Sequence, residues 1–240
     1  MNRVITAMAL LVLVWPMSSA EAGIWDQARQ LISVPSQKSL DESTIVNGLK
    51  EALAQATGNA VSSVGKLDGY LDNNAIKILM PENLRNVSDT LKKFGFEKQV
   101  NDFVLSMNRA AENAAPQAKS YFVEAIKEMS FEDAKKILNG NDTAATDYFK
   151  EKMHDQLYDA FQPSVSESMN EVGVTRSYKN MMAKYSAIPF VKSEALDLDR
   201  YVTEESLNGL FYMVGQQEKM IRTDPAARTT ELLQKVFGNN

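Results

Sequence analysis

The residues best suited to acid–base chemistry lie in the stretch "TDYFKEKMHDQLYDAF". His154 is the only histidine of the 240-residue chain, Asp155 follows it directly, and Asp159 lies about one turn further along a predicted helix. An imidazole beside carboxylates can act as a general base or as a metal ligand. A lone histidine on a helix is more often an ordinary surface or half-buried residue. His154, Asp155 and Asp159 are therefore weak catalytic candidates, and the sequence favours a protein that is not an enzyme.

A second polar cluster lies in "FVLSMNRAAENAAPQAK", where Arg109 and Glu112 are three residues apart. This predicted helix carries large apolar residues on more than one side, which is typical of the central helix of a bundle. A buried arginine is normally paired, so we expect Arg109 to contact Glu112 within the helix or Asp155 and Asp159 across the bundle. The alternative is a ligand site lined by Arg109 and Glu112.

Arg228 is the third candidate for a ligand contact. The pair Asp224-Pro225 has the residue types of a helix N-cap followed by the first helical position, which places Arg228 in the first or second turn of the last helix. The helix dipole disfavours a cation at that end. We therefore expect Arg228 to pair with a carboxylate, and the alternative is that it binds an anionic ligand.

Residue types and motifs exclude several classes of site. The chain has no cysteine, so it has neither a thiolate nucleophile nor a cysteine zinc site. It contains no G-x-S-x-G, no H-E-x-x-H and no P-loop sequence. Asp197 and Asp199 have the spacing that opens a calcium loop, but Val202 and Asn208 stand where such a loop needs glycine and glutamate. We expect no metal and no cofactor, and we expect Asp199 or Thr203 to be a helix N-cap.

The N-terminus, "MNRVITAMALLVLVWPMSSAEAG", has the pattern of a secretory signal peptide. Arg3 precedes an apolar run from Val4 to Trp15, and Ala20-Glu21-Ala22 gives a small-x-small cleavage pattern, so we expect cleavage after Ala22. The run is shorter than the roughly 20 residues of a membrane-spanning helix. No cysteine follows it, so we expect no lipid-modified N-terminus. The expected location is the periplasm.

The composition of the chain limits its partners. Its net charge is −5, and no segment after the signal peptide is apolar enough to span a membrane. This acidic balance does not suggest a phosphate-seeking surface, so we expect no nucleic-acid partner. We also expect no transmembrane segment in the mature chain.

Helix caps and helix breakers define the domain organisation. Residues 39–240 are predicted to form a single compact all-α bundle of about nine or ten helices, after an N-terminal arm at residues 23–38. Ser39 with Glu42, and Ser130 with Asp133, have the spacing of helix caps. Pro163 is predicted to open a new helix that ends at Gly173. The run "AIKILM" is predicted to be extended, with an isolated strand as one interpretation.

Five segments, taken in order, resemble a bacterial exported family catalogued as domain of unknown function 4197; they are "GLKEALAQ", "FVLSMNRAAE", "MSFEDAKKILNG", "DQLYDAF" and "DPAARTTELLQKVFG". The resemblance spans about Leu40 to Gly238. It implies an exported, all-helical protein of Gram-negative-type bacteria. Some members resemble lipoproteins, and this chain departs from them because it has no cysteine at that place. The family implies no activity, cofactor or catalytic residue.

These patterns together predict a periplasmic helical protein that acts by binding an envelope protein or a small apolar or anionic ligand. The contact is expected in a groove between helices, with Arg109 and Arg228 as its polar candidates. Two alternatives stay open. One is an unfamiliar enzyme that uses His154 with Asp155 or Asp159, and the other is a peripheral membrane-surface protein attached through the Gly23–Lys38 arm.

Overall fold

The computed structural model describes residues 41–189 and 197–238. The predicted signal peptide, residues 1–22, and the predicted arm, residues 23–38, lie outside the described residues. Within the described ranges the chain forms nine α-helices and no β-strand, which confirms the all-α class. None of these helices combines the length and the apolarity needed to cross a bilayer. The helices are α1 (Glu42–Val64), α2 (Arg85–Lys93), α3 (Glu97–Ala114), α4 (Ala118–Glu128), α5 (Phe131–Leu138), α6 (Ala144–Val172), α7 (Val174–Ser186), α8 (Leu198–Thr223) and α9 (Glu231–Phe237), with short 3-10 turns at Glu82–Leu84, Ala115–Gln117 and Pro225–Ala227.

The long helices α1, α3, α6 and α8 make the centre of the bundle. Helix α3 packs against α6 and α7, and α8 packs against α1 and α6. The predicted apolar stripe of α3, which includes Phe103 and Met107, is fully buried. Phe122 of α4 meets Phe149 of α6 and Phe211 of α8 edge-on, with ring centroids 5.8 and 5.9 Å apart. Three helices therefore share one aromatic centre, which positions α6 and α8 relative to each other.

Helix α6 continues through Pro163, so the prediction that this proline opens a new helix is wrong. Proline lacks the N–H that would bond the carbonyl of Asp159, but Pro163 and Asp159 are both exposed, so that carbonyl can face solvent. On the other side of the helix Phe161 and Val165 are buried and hold both halves against the core. Gly173, with a φ of +76°, ends the helix as predicted.

The helix starts show where local sequence decides the structure. The predicted cap at Ser130 is present, because its hydroxyl accepts the N–H of Asp133 and the Asp133 carboxylate accepts the N–H of Ser130. Helix α1 begins at Glu42 with Asp41 in the N-cap position. Ser39, which was expected to form a cap with Glu42, lies outside the described residues.

Helix α8 begins earlier than predicted. Asp197 is its N-cap, and the Asp197 carboxylate accepts the N–H of Arg200 at 3.0 Å. The prediction of Asp199 or Thr203 as N-cap is therefore wrong. Thr203 lies inside the helix and is fully buried, and among the described residues its hydroxyl has no hydrogen-bond partner. A buried hydroxyl that loses its hydration without gaining a partner destabilises the folded state.

Replacing Thr203 with valine should therefore stabilise the protein. Valine keeps the branched shape and removes the hydroxyl, so we expect the free energy of unfolding to rise by about 1 kcal/mol. Urea unfolding followed by circular dichroism measures this change. The matched control is Ser206→Ala on the same helix, because the buried Ser206 hydroxyl donates to the carbonyl of Val202 and its loss should not stabilise. A Thr203→Val variant less stable than its parent would contradict this account.

Candidate functional site

The segment from Gly65 to Met80, which we call the loop, leads from α1 towards α2 without forming helix or strand. A segment of this length without regular structure is uncommon in a compact domain. Its backbone polar groups need partners wherever they are buried. Side chains of α3 and α8 supply several of them, and the polar cluster of α3 supplies the largest share of these contacts.

Asn108 holds the extended end of the loop. This fully buried side chain accepts the N–H of Ile78 at 2.9 Å and donates to the carbonyl of Ile78 at 2.8 Å. The amide thus gives Ile78 the two hydrogen bonds that a neighbouring β-strand would give. The run "AIKILM" was expected to be extended, with a strand as one interpretation. In the structure it forms no strand, and its residue Ile78 pairs with the side chain of Asn108.

Glu112 holds the middle of the loop. Its side chain is buried, and its Oε1 accepts the N–H groups of Tyr70 and Leu71 at 3.1 and 3.2 Å. Its Oε2 accepts from Nη1 of Arg109 at 2.5 Å, which is the intrahelical pair expected from the sequence. Both oxygens of this buried carboxylate are therefore hydrogen-bonded. One oxygen bonds the loop backbone, and the other bonds Arg109.

Arg109 extends the cluster to the beginning of the loop. Its Nη2 lies 2.6 Å from Oδ1 of Asp68, so the expected alternative pairing with Asp155 and Asp159 across the bundle is wrong. Partial burial lowers the pKa of Arg109, but hydrogen bonds to Glu112 and Asp68 outweigh it and raise the pKa above its usual value. Asp68 has a φ of +64°, a left-handed conformation that an aspartate adopts at some cost in energy. The ion pair therefore holds a strained turn in place.

Tyr70 connects the loop to α8. Its ring is fully buried, and its hydroxyl donates to the carbonyl of Ser206 at 2.6 Å. Burial, and then the charge of Glu112, raise the pKa of Tyr70 well above its usual value. The ring fits because α8 carries Gly209 there, where a Cβ would lie 2.6 Å from Cε1 of Tyr70. A second tyrosine of α8, Tyr201, donates to the carbonyl of Leu79 at 3.0 Å.

The clamped loop presents apolar side chains to solvent. Leu67 is 72% exposed and Leu79 is 58% exposed, although each is next to a residue bonded to α3. Leu105, which is 38% exposed, precedes Arg109 by one turn of the same helix. We call Leu67, Leu79 and Leu105 the loop face. Beneath it the side chains of Asn108, Arg109 and Glu112 are paired inside the protein, so this arrangement can fix a shape for binding.

One family model, described as "Protein of unknown function (DUF4197)", matches residues 39–238 of the chain. The chain belongs to the DUF4197 family. The resemblance found in the sequence is confirmed, and the matched range contains α3, α8 and the whole loop. No curated protein and no solved structure matches the chain. Membership in DUF4197 adds no activity, because the family is described as one of unknown function.

His154 of this DUF4197 chain lies between α6 and α8. Its Nδ1 is 3.2 Å from Oδ1 of Asp155, and its Nε2 is 3.5 Å from Oε2 of Glu204. Its ring is stacked with those of Tyr158 and Phe211, at centroid distances of 6.5 and 6.4 Å. Burial, followed by the charge of Glu204, raises the pKa of Tyr158. The second carboxylate beside the imidazole is thus Glu204 from another helix.

The sequence did not identify Glu204, because it lies far from His154 along the chain and no local pattern connects the two. Asp159, which was grouped with His154 on the basis of helical spacing, has an exposed side chain. Within the part of the chain that the structure describes, no group of three or more His, Asp or Glu side chains is placed to hold a metal ion.

Arg228 is placed differently from the prediction. It follows the 3-10 turn Pro225–Ala227 in a non-helical conformation, so the expected position in the first or second turn of a helix is wrong. Its Nε and Nη2 donate to the carbonyls of Ile221 and Arg222 at 3.0 and 2.8 Å. These carbonyls lie at the C-terminal end of α8, where a cation is favourable. The expected carboxylate partner is replaced by helix-end carbonyls.

A buried ion pair on α8 was missed in the sequence. Glu218 is 4% exposed, and its Oε1 accepts from Nε and Nη2 of Arg222 at 3.0 and 2.9 Å. The same carboxylate accepts the N–H groups of Ala145 and Thr146 at 3.0 Å, at the beginning of α6. Arg222 donates to the carbonyl of Ile137 at 2.8 Å, at the end of α5. The spacing of Glu218 and Arg222 signals an intrahelical pair, but nothing in the sequence indicates which helix ends it bonds.

Proposed function

We propose that this protein is an exported helical binding module of the bacterial cell envelope, and that the loop face is its contact surface for another envelope protein. The observation that carries the proposal is the clamped loop: an irregular segment held by buried polar side chains of α3, with Leu67 and Leu79 directed to solvent. Catalysis is less well supported, because the polar groups under the loop already have partners inside the protein.

The energetic cost of the clamp supports a functional role for the loop. Burying the Glu112 carboxylate carries a desolvation penalty of several kcal/mol, which its pairing with the half-buried Arg109 offsets only when the geometry is good. An apolar pair would fill the same space at no such penalty. The charged pair instead bonds the backbone at Tyr70 and Leu71, so what it provides is a defined loop conformation.

A pre-formed loop favours binding because little chain entropy is lost when a partner docks. Loops carried by a rigid scaffold are also where binding residues concentrate. Arg109 and Arg228, the polar candidates from the sequence, both have partners inside the protein. The loop face therefore supports contact with an apolar surface of a protein better than it supports capture of a small anion.

The contact is tested by photo-crosslinking in producing cells. Six large apolar side chains are exposed among the described residues, and a crosslinking amino acid is placed at each in turn: Leu67, Leu79, Leu105, Phe94, Tyr212 and Met220. Discrete adducts with one partner are expected from the three loop-face positions. Tyr212 and Met220, which are 45% and 47% exposed, serve as the controls. Adducts that are absent at the loop face, or equal at all six positions, would rule out this contact surface.

The export part of the proposal rests on the N-terminal pattern and has its own test. The protein is produced with a C-terminal tag in a Gram-negative-type cell, and the periplasmic fraction is separated. Intact-mass measurement should give a chain that begins at Gly23. A chain that is found only in the cytoplasm, with residues 1–22 still present, would contradict export.

A further inference from the structure

The turn between α2 and α3 exposes an aromatic ring at one end of the bundle. Phe94, at the end of α2, is 61% exposed. Gly95 follows with a φ of +82°, and the N–H of Phe96 donates to the carbonyl of Leu91 at 2.8 Å. This is the hydrogen-bond pattern of a Schellman motif, which fixes the end of a helix. The ring of Phe94 is thus presented on a defined turn and not on a loose segment.

Lysines surround this turn. Lys92 and Lys93 form the last turn of α2, and Nζ of Lys184 from α7 lies 5.6 Å from the ring centroid of Phe96. Within the described ranges none of these three lysines makes a salt bridge, whereas the nearby Lys98 is paired with Asp102 at 2.6 Å. We call Lys92, Lys93, Phe94 and Lys184 the basic tip. These three lysines outnumber Asp89 and Glu97, the exposed carboxylates nearest to this turn in the sequence, on a chain whose net charge is −5.

A polar cleft of about 420 Å³ between α3 and α7 opens beside the basic tip. Lys184 is one of its lining residues, and the other side chains are uncharged apart from Asp102, which is already paired. The cleft is lined by Gln99, Asp102, Ser177, Asn180, Ala183 and Lys184. Amides, a hydroxyl and an ammonium group suit a small polar or phosphate-bearing group beside the lysines.

We propose that the basic tip binds the surface of an anionic phospholipid bilayer, with the ring of Phe94 in the interfacial layer and the three lysines on lipid phosphates. This inference goes beyond the proposed protein contact and uses other residues. Aromatic side chains favour the membrane–water interface. Clustered lysines gain energy from the negative potential of anionic lipids, and that attraction fades within a Debye length.

The charge distribution gives this contact an orientation. The chain as a whole is acidic, so an anionic bilayer repels it on average. Only a surface where cations are concentrated and unpaired can approach, and in the basic tip the exposed ring of Phe94 directly follows Lys92 and Lys93 in the chain. A soluble anion would be attracted by the lysines alone and would make no use of Phe94. The ring is therefore what points to a bilayer as the partner.

Vesicle sedimentation tests the lysines. The exported, processed chain is mixed with vesicles of equal parts phosphatidylglycerol and phosphatidylcholine, and separately with phosphatidylcholine alone. Binding is expected only to the anionic vesicles and should decrease with added salt. The double variant Lys92→Glu/Lys93→Glu should weaken it about thirty-fold.

The matched control is Lys135→Glu/Lys136→Glu, because these exposed lysines also form the last turn of a short helix, α5. The two double variants change the net charge equally. Both keep the Gly23–Lys38 arm, so any binding through that arm is the same in both. Equal weakening by both pairs would show that only net charge matters and would overturn the proposal. Equal binding to neutral and anionic vesicles, or no binding at all, would also overturn it.

A fluorescent label tests the ring. Because the chain has no cysteine, Phe94→Cys can carry a single polarity-sensitive dye, and Tyr212→Cys, at a site that is 45% exposed, is the control. Anionic vesicles should shift the emission of the dye at position 94 to shorter wavelength and leave that at position 212 unchanged. If vesicles bind but the emission at position 94 does not shift, the bilayer contact is overturned. It is also overturned if inorganic polyphosphate displaces the vesicles completely and no shift is seen, because the protein then binds phosphate groups alone.

Discussion

Replacing Glu218 with alanine should lower the free energy of unfolding by about 4 kcal/mol. The change leaves Arg222, whose side chain is only 9% exposed, without its carboxylate. It also removes the acceptor of the N–H groups of Ala145 and Thr146 at the beginning of α6. For a chain of this length the loss corresponds to a fall in Tm of about 10 °C. Thermal and urea unfolding measure both quantities.

The chain offers a matched control in an exposed pair of the same spacing. Glu231 and Lys235 on α9 are also four residues apart, but their side chains are 92% and 59% exposed. Exposed pairs of this kind contribute little. Glu231→Ala should therefore leave the unfolding curve nearly unchanged. If Glu218→Ala and Glu231→Ala had equal effects, the buried pair would not be the connection between α5, α6 and α8 that the structure shows.

Replacing Glu112 with alanine should destabilise the protein by about 3 kcal/mol and release the loop. The variant loses the acceptor of the Tyr70 and Leu71 N–H groups and leaves Arg109 with Asp68 as its remaining partner. Hydrogen exchange resolved by residue should accelerate at Tyr70 and Leu71 more than in the buried turns of α6. Glu112→Gln keeps an oxygen for these two N–H groups and should fall between alanine and the parent.

The control for this variant is Glu82→Ala, because Glu82 and Arg85 form an exposed pair with the same spacing of three residues. It should change neither the stability nor the exchange rates in the loop. The exchange rates at Tyr70 and Leu71 in Glu112→Ala could instead rise only as much as those of the whole molecule. Glu112 would then stabilise the fold as a whole and would not hold the loop in particular. The same variant should weaken crosslinking from Leu67 and Leu79 if the loop face is the contact surface.

The parts of the fold that depend on local sequence were predictable. The cap at Ser130 and the glycine that ends α6 were identified correctly, because both act through hydrogen bonds or backbone angles within a few residues. The prediction failed at Pro163 because burial of Phe161 and Val165 on the opposite side outweighs one missing hydrogen bond. Tertiary packing of this kind cannot be inferred from a proline alone.

The candidate site was predictable only in its central residues. The intrahelical pair of Arg109 and Glu112 follows from spacing, but their partner in the loop does not, because Asp68 lies 41 residues from Arg109. Asn108 contacts Ile78 across 30 residues by the same kind of long-range bond. The prediction for Arg228 was wrong because a 3-10 turn forms after Asp224 where a helix was expected. This turn brings the side chain of Arg228 back to the carbonyls at the end of α8.

The two polar connections to α8 have a consequence for the order in which the chain can fold. Glu218 bonds residues that precede it by 72 and 73 positions, and Tyr70 bonds the carbonyl of Ser206, 136 positions away. Contacts between such distant positions slow folding, because a long stretch of chain must be closed before they form. In a chain that is synthesised from its N-terminus onwards, the loop cannot make its bond to Ser206, and the beginning of α6 cannot make its bonds to Glu218, until α8 has been made. The contacts that complete the loop and join α6 to α8 are therefore expected to form late in folding.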